Sequence, residues 1–187
     1  MRVFEVVIEG TKPILLHNPA GMGQGGAKKS GEKCIPTPEE EAAASCYWTD
    51  DKSSLMFPAS NLQGAMIGAA GAYKVAKKSI VPFVAGSVEI EPEQIPFGTK
   101  QYVIDTRRAV VQRSSVLRSR AKLPAWKLQF QLLVDPDFPV REPGEVLRDI
   151  LQEAGRRIGI GDFRPQKKGK FGKFQVTKFA EAKNVHR

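Results

Sequence analysis

Cysteine and histidine are scarce in this chain of 187 residues, which contains two of each. Cys34 and Cys46 cannot build a disulfide framework. Together with His17 they would form at most a partial zinc site, and their spacing matches no common zinc-binding pattern. We therefore expect reduced thiols, no metal site and no cofactor.

Long apolar runs are also absent. No segment approaches the roughly 18 uninterrupted apolar residues of a membrane-spanning helix. Residues 1–5 begin a strand-like alternation and do not resemble a signal peptide. We expect a cytoplasmic protein with no membrane partner.

Acidic residues are the minority charge. Lysine and arginine number 29 against 20 aspartates and glutamates, which gives a net charge of +9. Basic residues dominate from residue 100 onward, whereas residues 36–51 and 89–93 are acidic. The positive charge should therefore form a face that attracts a polyanion such as nucleic acid.

The chain contains a clear succession of strand and helix patterns. Strands are predicted where β-branched residues cluster or where apolar and polar residues alternate, at residues 2–9, 55–57, 80–91, 126–134 and 171–179. Helices are predicted from Pro38 to about residue 48 with Thr37 as N-cap, from Ser60 as N-cap, and at residues 143–158.

This order predicts one α+β domain over residues 1–187, of the ferredoxin-like βαββαβ class. Insertions are expected after the first strand and in the middle of the domain. The first is a flexible and helical segment at residues 20–55, whose basic part at 20–33 should be mobile. The second is a basic hairpin insertion at 95–122, and a polar tail follows at 180–187.

The most distinctive stretch is residues 155–174, which we call the glycine loop. Its glycines permit positive φ and should present bare backbone amides to an anion. Its basic residues favour phosphate, so we interpret the loop as a clamp on a nucleic-acid backbone, with a solvated hairpin tip as the alternative. The binding candidates here are Arg156, Arg157, Gly159, Gly161, Arg164, Lys167, Lys168, Gly169, Lys170 and Lys173.

Two other stretches supply binding candidates. The hairpin predicted at residues 102–120 carries arginines suited to phosphate, although it could also be a salt-bridged exposed hairpin. The helix beginning near Ser60 would hold phosphate at its start. The candidates in these stretches are Ser60, Asn61, Gln63, Arg107, Arg108, Arg113, Arg118 and Arg120.

Two of these stretches resemble a known family. Residues 57–65, Phe-Pro-Ala-Ser-Asn-Leu-Gln-Gly-Ala, are similar to the helix start of the RAMP superfamily of CRISPR-associated proteins. Gly159-Ile160-Gly161 followed by Gly169-Lys170-Phe171-Gly172 resembles the C-terminal glycine-rich loop of that superfamily. The resemblance implies an RNA-recognition-motif-like domain that coats a guide RNA side by side with further copies of itself and other effector subunits, in an antiviral ribonucleoprotein.

Three functions compete. The first is a non-catalytic guide-RNA-binding backbone subunit that polymerises along single-stranded RNA as a filament. The second is a metal-independent guide-processing endoribonuclease, for which His17 is the one catalytic candidate because His186 lies in the tail. The third is a single-stranded DNA-binding protein of a mobile element, which shares every electrostatic feature with the first.

Overall fold

The computed structural model describes residues 1–23, 36–111 and 114–182. Its strands are β1 (Arg2–Gly10), β2 (Ile14–Leu15), β3 (Met56–Pro58), β4 (Lys74–Val75), β5 (Lys78–Ser79), β6 (Val88–Glu91), β7 (Gln94–Pro96), β8 (Val103–Val111), β9 (Ser114–Leu123), β10 (Lys127–Val134) and β11 (Phe174–Glu181). Its α-helices are α1 (Pro19–Gly23), α2 (Pro38–Ala44), α3 (Ala59–Ala70), α4 (Val81–Gly86) and α5 (Pro143–Glu153). A π-helical turn, Ala154–Ile158, extends α5, and a 3₁₀ turn, Pro165–Lys167, lies in the glycine loop.

The fold is mixed α/β, and its main sheet has four antiparallel strands in the order β11-β1-β10-β6. Successive side chains of a strand point to opposite faces, so one face of this sheet collects the apolar residues. The helices α3 and α5 contact each other and the strands of this sheet. The buried residues on this face of the two central strands are Phe4, Val6, Ile8, Leu128, Phe130, Leu132 and Val134. The alternation predicted for residues 126–134 is therefore confirmed.

The opposite face of the main sheet is mostly polar, although it also contains the buried Val7. It carries Glu5, Gln129 and Gln131 at its centre and Glu89 and Glu91 on the edge strand β6. Lysine ammonium groups neutralise part of this charge, as where Lys178 Nζ lies 2.6 Å from a Glu5 carboxylate oxygen. None of the described residues on this face is aromatic.

A three-stranded sheet in the order β2-β9-β8 carries the long hairpin formed by β8 and β9. This confirms the hairpin predicted at residues 102–120, while Arg113 and its turn lie outside the described residues. The helix α2 and its C-cap residue Ser45 contact β9. The Glu41 carboxylate accepts the backbone N–H of Ser119 at 2.8 Å, and the Ser45 hydroxyl oxygen accepts that of Ala121 at 2.9 Å.

The sequence predicted the start of α2 correctly and the start of α3 incorrectly. Thr37 caps α2 as predicted, in a capping box with Glu40, although the helix ends at Ala44 instead of near residue 48. Ser60 is not the N-cap of α3, because the helix begins two residues earlier than such a cap requires, at Ala59, and Pro58 occupies the cap position. Proline has no side-chain acceptor, so α3 starts without a side-chain cap.

The strand predicted at residues 80–91 is correct only in its second half. Residues 81–86 form α4, in which Pro82 lies in the first turn, where a missing N–H does no harm. Residues 88–91 form β6 against β10. An apolar run of this length does not by itself distinguish a short helix from a strand.

Some predictions fall outside the described residues. Residues 24–35 are among these, and with them most of the basic segment expected to be mobile at 20–33. The tail predicted from residue 180 begins later, because β11 continues to Glu181, and residues 183–187 are also outside.

Candidate nucleic-acid cleft

A cleft of about 430 Å³ lies between the start of α3, His17 and the glycine loop. Its volume is in the range of pockets that hold small ligands or single chemical groups of a polymer. It brings together residues from four separate parts of the chain. The predicted binding residues in its lining are Ser60, Asn61, Gly159, Gly161 and Arg164, beside the catalytic candidate His17.

The start of α3 supplies the positive end of this cleft. Of the first amides of the helix, that of Ala59 donates to the Glu93 carbonyl at 2.8 Å. Ser60 and Asn61, the next two residues, line the cleft and receive no side-chain cap. Because the first-turn N–H groups of a helix have no intrahelical acceptors, the start of this twelve-residue helix favours an anion.

The glycine loop forms the opposite wall, and its amides are used differently from the prediction. The N–H groups of Gly159, Ile160 and Asp162 donate to the carbonyls of Ala154, Gly172 and Leu15, at 2.8, 3.0 and 2.9 Å. The expected run of bare amides is therefore wrong at these three residues. The loop satisfies its own backbone because it folds against β2 and against itself.

The glycines serve that folding. A Cβ at Gly169 would lie 1.7 Å from the carbonyl oxygen of Phe163, and one at Gly172 would lie 1.7 Å from that of Ile160. At Gly161, where φ is 74°, a Cβ would lie 2.5 Å from the carbonyl oxygen of Leu15. Close approach of backbone to backbone, and not of backbone to ligand, requires glycine at these positions.

Arg164 contributes a positive charge to the lining of the cleft. Its Nη1 donates to the Gly161 carbonyl and its Nε to the Gln166 side chain, both at 3.1 Å. These two bonds orient the guanidinium group while leaving other N–H donors of its five for a ligand. The side chain is half-buried, so much of its conformational entropy is already lost before a ligand binds.

His17 lies at the mouth of the cleft, where Tyr47 Oη donates to its backbone carbonyl at 2.7 Å. Partial burial lowers the pKa of His17, and the guanidinium groups of Arg120 and Arg118 lower it further, while Asp162 acts in the opposite direction. The imidazole is therefore neutral at pH 7 and can accept a proton or a hydrogen bond.

Three of the hairpin arginines bind carboxylates of the protein itself. Arg107 pairs with Asp105 on the same strand, Arg118 Nη1 lies 2.8 Å from Glu41 of α2, and Arg120 pairs with Asp162 of the glycine loop. The sequence alternative of a salt-bridged hairpin thus describes these three, and their contact with phosphate stays a prediction. Arg108 is exposed and makes no ion pair with any described residue.

The hairpin contacts the glycine loop through the ion pair of Arg120 with Asp162 and through Arg107. Asp105, which is 9% exposed, binds Arg107 and also Lys122 Nζ at 2.8 Å. The hydrogen bond from Arg107, with that from Lys122, holds the pKa of Asp105 below its usual value although burial opposes this. The Arg107 guanidinium in turn lies 4.5 Å from the centre of the Phe171 ring, a cation–π contact.

The remaining predicted residues lie outside the cleft lining. Gln63 donates both amide hydrogens to the carbonyls of Val84 and Val88, at 2.8 Å each, and so ties α3 to α4 and β6. Because its donors are used, only an acceptor remains, which does not suit phosphate. The others, all exposed or half-buried, are Arg156, Arg157, Lys167, Lys168, Gly169, Lys170 and Lys173.

Sequence reasoning missed part of the lining. Tyr47, Asp162 and Gln166 line the cleft, yet none was a candidate. Asp162 and Gln166 stand inside the glycine loop, so their place in the sequence was an available signal. Tyr47 follows α2 after a short break and reaches the cleft through tertiary packing, for which no local pattern exists.

Two negative findings concern the described part of the chain. No helix there is long and apolar enough to cross a membrane. In the same residues, no three histidine, cysteine, aspartate or glutamate side chains are grouped so that they could hold a metal ion.

No protein-family model matches the chain, and no curated protein matches it in sequence. Chains of two CRISPR complexes are among the solved structures similar to it. A chain of the type III-B Cmr-beta complex bound to cognate target RNA, solved by cryo-electron microscopy, has a TM-score of 0.63 and 12% identity, over 97% of this chain and 61% of that one. A chain of a type IV-B CRISPR complex has a TM-score of 0.53 and 11% identity, over 99% and 92%. The likeness is one of fold alone.

Proposed function

We propose that this chain binds single-stranded RNA in the cleft and coats a guide RNA as a backbone subunit of a CRISPR-type effector complex. The observation that carries the proposal is the meeting of an uncapped helix start and an oriented guanidinium, that of Arg164, across one cleft. Both groups favour phosphate and neither depends on the base. Such a site suits a protein that binds a strand independently of its sequence.

We further propose a ferredoxin-like domain of the RAMP superfamily. The order β11-β1-β10-β6 supports it, since β1, α3, β6, β10, α5 and β11 follow one another as a βαββαβ unit. The likeness in fold to chains of two CRISPR complexes, one of them bound to RNA, supports the same assignment.

The open face of the main sheet does not suit RNA. RNA-recognition motifs stack bases on aromatic side chains of that face. Here the face carries Glu5, Glu89 and Glu91, whose carboxylates repel phosphate, and its described residues include no aromatic ring. We therefore place the RNA on the other side of the sheet, in the cleft beside α3, with the exposed residue Lys167 extending its path.

A matched pair of arginine variants tests binding in the cleft. Replacing Arg164 by alanine should weaken binding of a short single-stranded RNA by about tenfold or more, because a hydrogen bond to a charged group contributes about 1.5–3 kcal/mol. Arg141→Ala removes the same charge from an exposed position elsewhere and should leave affinity nearly unchanged. Equal loss in both variants would contradict the cleft. Competition by DNA of the same sequence separates RNA from single-stranded DNA binding, because only RNA offers the 2′-hydroxyl.

Polymerisation is tested by RNA length. If copies bind side by side, the mass of the complex should rise in steps as the RNA lengthens, and a one-to-one complex on every length would refute a filament. Deleting residues 21–33 should weaken this stepwise binding more than it weakens binding of the first copy, because a basic segment of that composition orders on a partner.

A second candidate function is metal-independent RNA cleavage, which the position of His17 favours. Its neutral imidazole lies in the same cleft and can act as a general base on a 2′-hydroxyl. The backbone proposal predicts that the purified protein leaves a labelled RNA hairpin intact in the absence of metal. Cleavage that His17→Ala abolishes would establish the enzyme instead.

A further inference from the structure

A small hairpin of β4 and β5 presents three lysines at the C-terminal end of α3. Its two strands pair through Lys74 with Ser79 and Val75 with Lys78, and the turn residues Ala76 and Lys77 have φ of 47° and 68°. Two positive φ values match the twist of a two-residue hairpin. Lys74, Lys77 and Lys78 are exposed, and none makes an ion pair with another described residue. We call this segment the lysine hairpin.

An acidic edge lies at the other end of α3. It consists of Glu89 and Glu91 on the edge strand β6 and of Glu93 just beyond it, all exposed and without ion pairs to described residues. Two hollows of about 530 and 450 Å³ flank it, and Glu91 and Glu93 line both.

The groups lining these hollows are mostly acceptors. The first hollow adds Glu5, Gln129 and Gln131, and the second adds Ser60 and Gln63, whose amide hydrogens are already used. A surface of this kind takes cationic donors.

One copy cannot join its own two surfaces. The backbone N–H of Ala59 at the start of α3 donates to the Glu93 carbonyl at 2.8 Å, so the acidic edge is fixed at that end. The lysine hairpin begins four residues after Ala70, the last residue of the helix. The twelve residues of α3 separate the lysine hairpin from Glu93 by about 18 Å, at 1.5 Å per residue.

We propose that the lysine hairpin of one copy binds the acidic edge of the next. The contact is head-to-tail and pairs two different surfaces, so it repeats from copy to copy without closing unless the rotation forms a ring. This proposal rests on the proposed function, for which it names the surfaces that join neighbouring copies along the RNA. In each copy the cleft and the acidic edge lie at the same end of α3. Repetition of the contact would therefore place the clefts in a regular row.

RNA is the less suitable occupant of the lysine hairpin. The cleft opens at the start of α3 and the hairpin follows its end, so a strand in the cleft does not run directly over the lysines. The acidic edge of a neighbour offers three carboxylates to three ammonium groups, a match in number as well as in sign.

Charge reversal with rescue tests the contact. The variant Lys74→Glu/Lys77→Glu/Lys78→Glu and the variant Glu89→Lys/Glu91→Lys/Glu93→Lys should each lose stepwise assembly on long single-stranded RNA, with at least a tenfold rise in the protein concentration required. A one-to-one mixture should restore it, since each hairpin then meets an edge of opposite charge. A chain carrying all six changes should also assemble. The control Lys52→Glu/Lys100→Glu/Arg148→Glu alters charge equally at exposed positions outside both surfaces.

Two further measurements separate this contact from RNA binding. Each variant is measured on an RNA long enough for one copy, where the affinity of the lysine variant should match that of the control. Carbodiimide coupling of the wild-type protein without RNA should link peptides of the hairpin to peptides of the edge. No rescue in the mixture, or a loss of short-RNA affinity confined to the lysine variant, would overturn the proposal, the second result in favour of RNA. Failure of the wild type to bind short RNA would refute the proposed function, and the coupling would still test the contact.

Discussion

The hairpin arginines and the lysines of the glycine loop have the same charge but opposite surroundings. Arg107, Arg118 and Arg120 each contact a carboxylate of the protein. Lys167 and Lys170 are exposed and make no ion pair with another described residue. The comparison teaches that a basic stretch can stabilise a domain or attract a polyanion, and that the partners of each cation decide which.

The largest expected effect comes from the lysines. Replacing Lys167, Lys168, Lys170 and Lys173 together by alanine should leave the fold intact and weaken binding of single-stranded RNA by about ten- to a hundredfold at moderate salt. The slope of log K against log salt should fall by up to about 3, since each phosphate contact on a single strand contributes about 0.7. Titrations at four salt concentrations measure this slope. An unchanged slope would mean that the glycine loop is a solvated hairpin tip and does not bind phosphate.

The Glu41 carboxylate, which binds the hairpin, should contribute to the stability of the fold and not to RNA binding. Glu41→Ala should lower the free energy of unfolding by about 2–3 kcal/mol, because it leaves the Ser119 N–H buried without an acceptor and Arg118 without its partner. Denaturant unfolding measures the change. Glu39→Ala, on an exposed position of the same helix, is the control. A large loss of RNA affinity without loss of stability would show that Glu41 acts elsewhere than in the hairpin.

The ion pairs of Asp105 should make the stability of the protein depend on pH. The pKa of Asp105 is lowered in the folded state. Its ion pairs therefore add to the free energy of unfolding above the pKa of the unfolded chain, which is about 4. This contribution is lost as the pH falls through the lower pKa of the folded state. Asp105→Asn should therefore destabilise by about 1–2 kcal/mol at pH 7. The difference from wild type should shrink as the pH falls below about 4. Melting temperatures from pH 7 to 3 measure it, and a constant difference would contradict the ion pairs.

The smallest effect concerns two glycines of α3. A Cβ at Gly64, which lines the cleft, meets no atom within 4 Å, and one at Gly68 meets Ile158 at 3.5 Å, an ordinary contact. Both Gly→Ala variants should raise stability by up to about 1 kcal/mol through helix propensity. RNA affinity should fall severalfold for Gly64→Ala alone. Equal affinities for the two variants would count against RNA lying along this face of the helix.

Much of the fold could be predicted because its signals are local. The alternation in β10, the Thr37 cap and the long hairpin each depend on residues adjacent in sequence. The strand predicted at residues 80–91 was wrong at α4 because a short apolar run carries no distinct period.

The candidate site was predictable in part. The sequence indicated Ser60, Asn61 and Arg164, which do line the cleft. It could not indicate that the amides of the glycine loop bond to β2, or that Gln63 uses its donors on α4 and β6. Each of these depends on which segments become neighbours after folding.

The excess of basic residues, the succession of strands and helices and the glycines of the loop follow from composition and from neighbouring residues. Which cations remain without an ion pair among the described residues depends on tertiary packing. Glu41 and Arg118 are 77 residues apart in the chain and 2.8 Å apart in the protein. An ion pair forms where packing brings opposite charges within contact distance, and that distance is a property of the fold and not of any stretch of sequence.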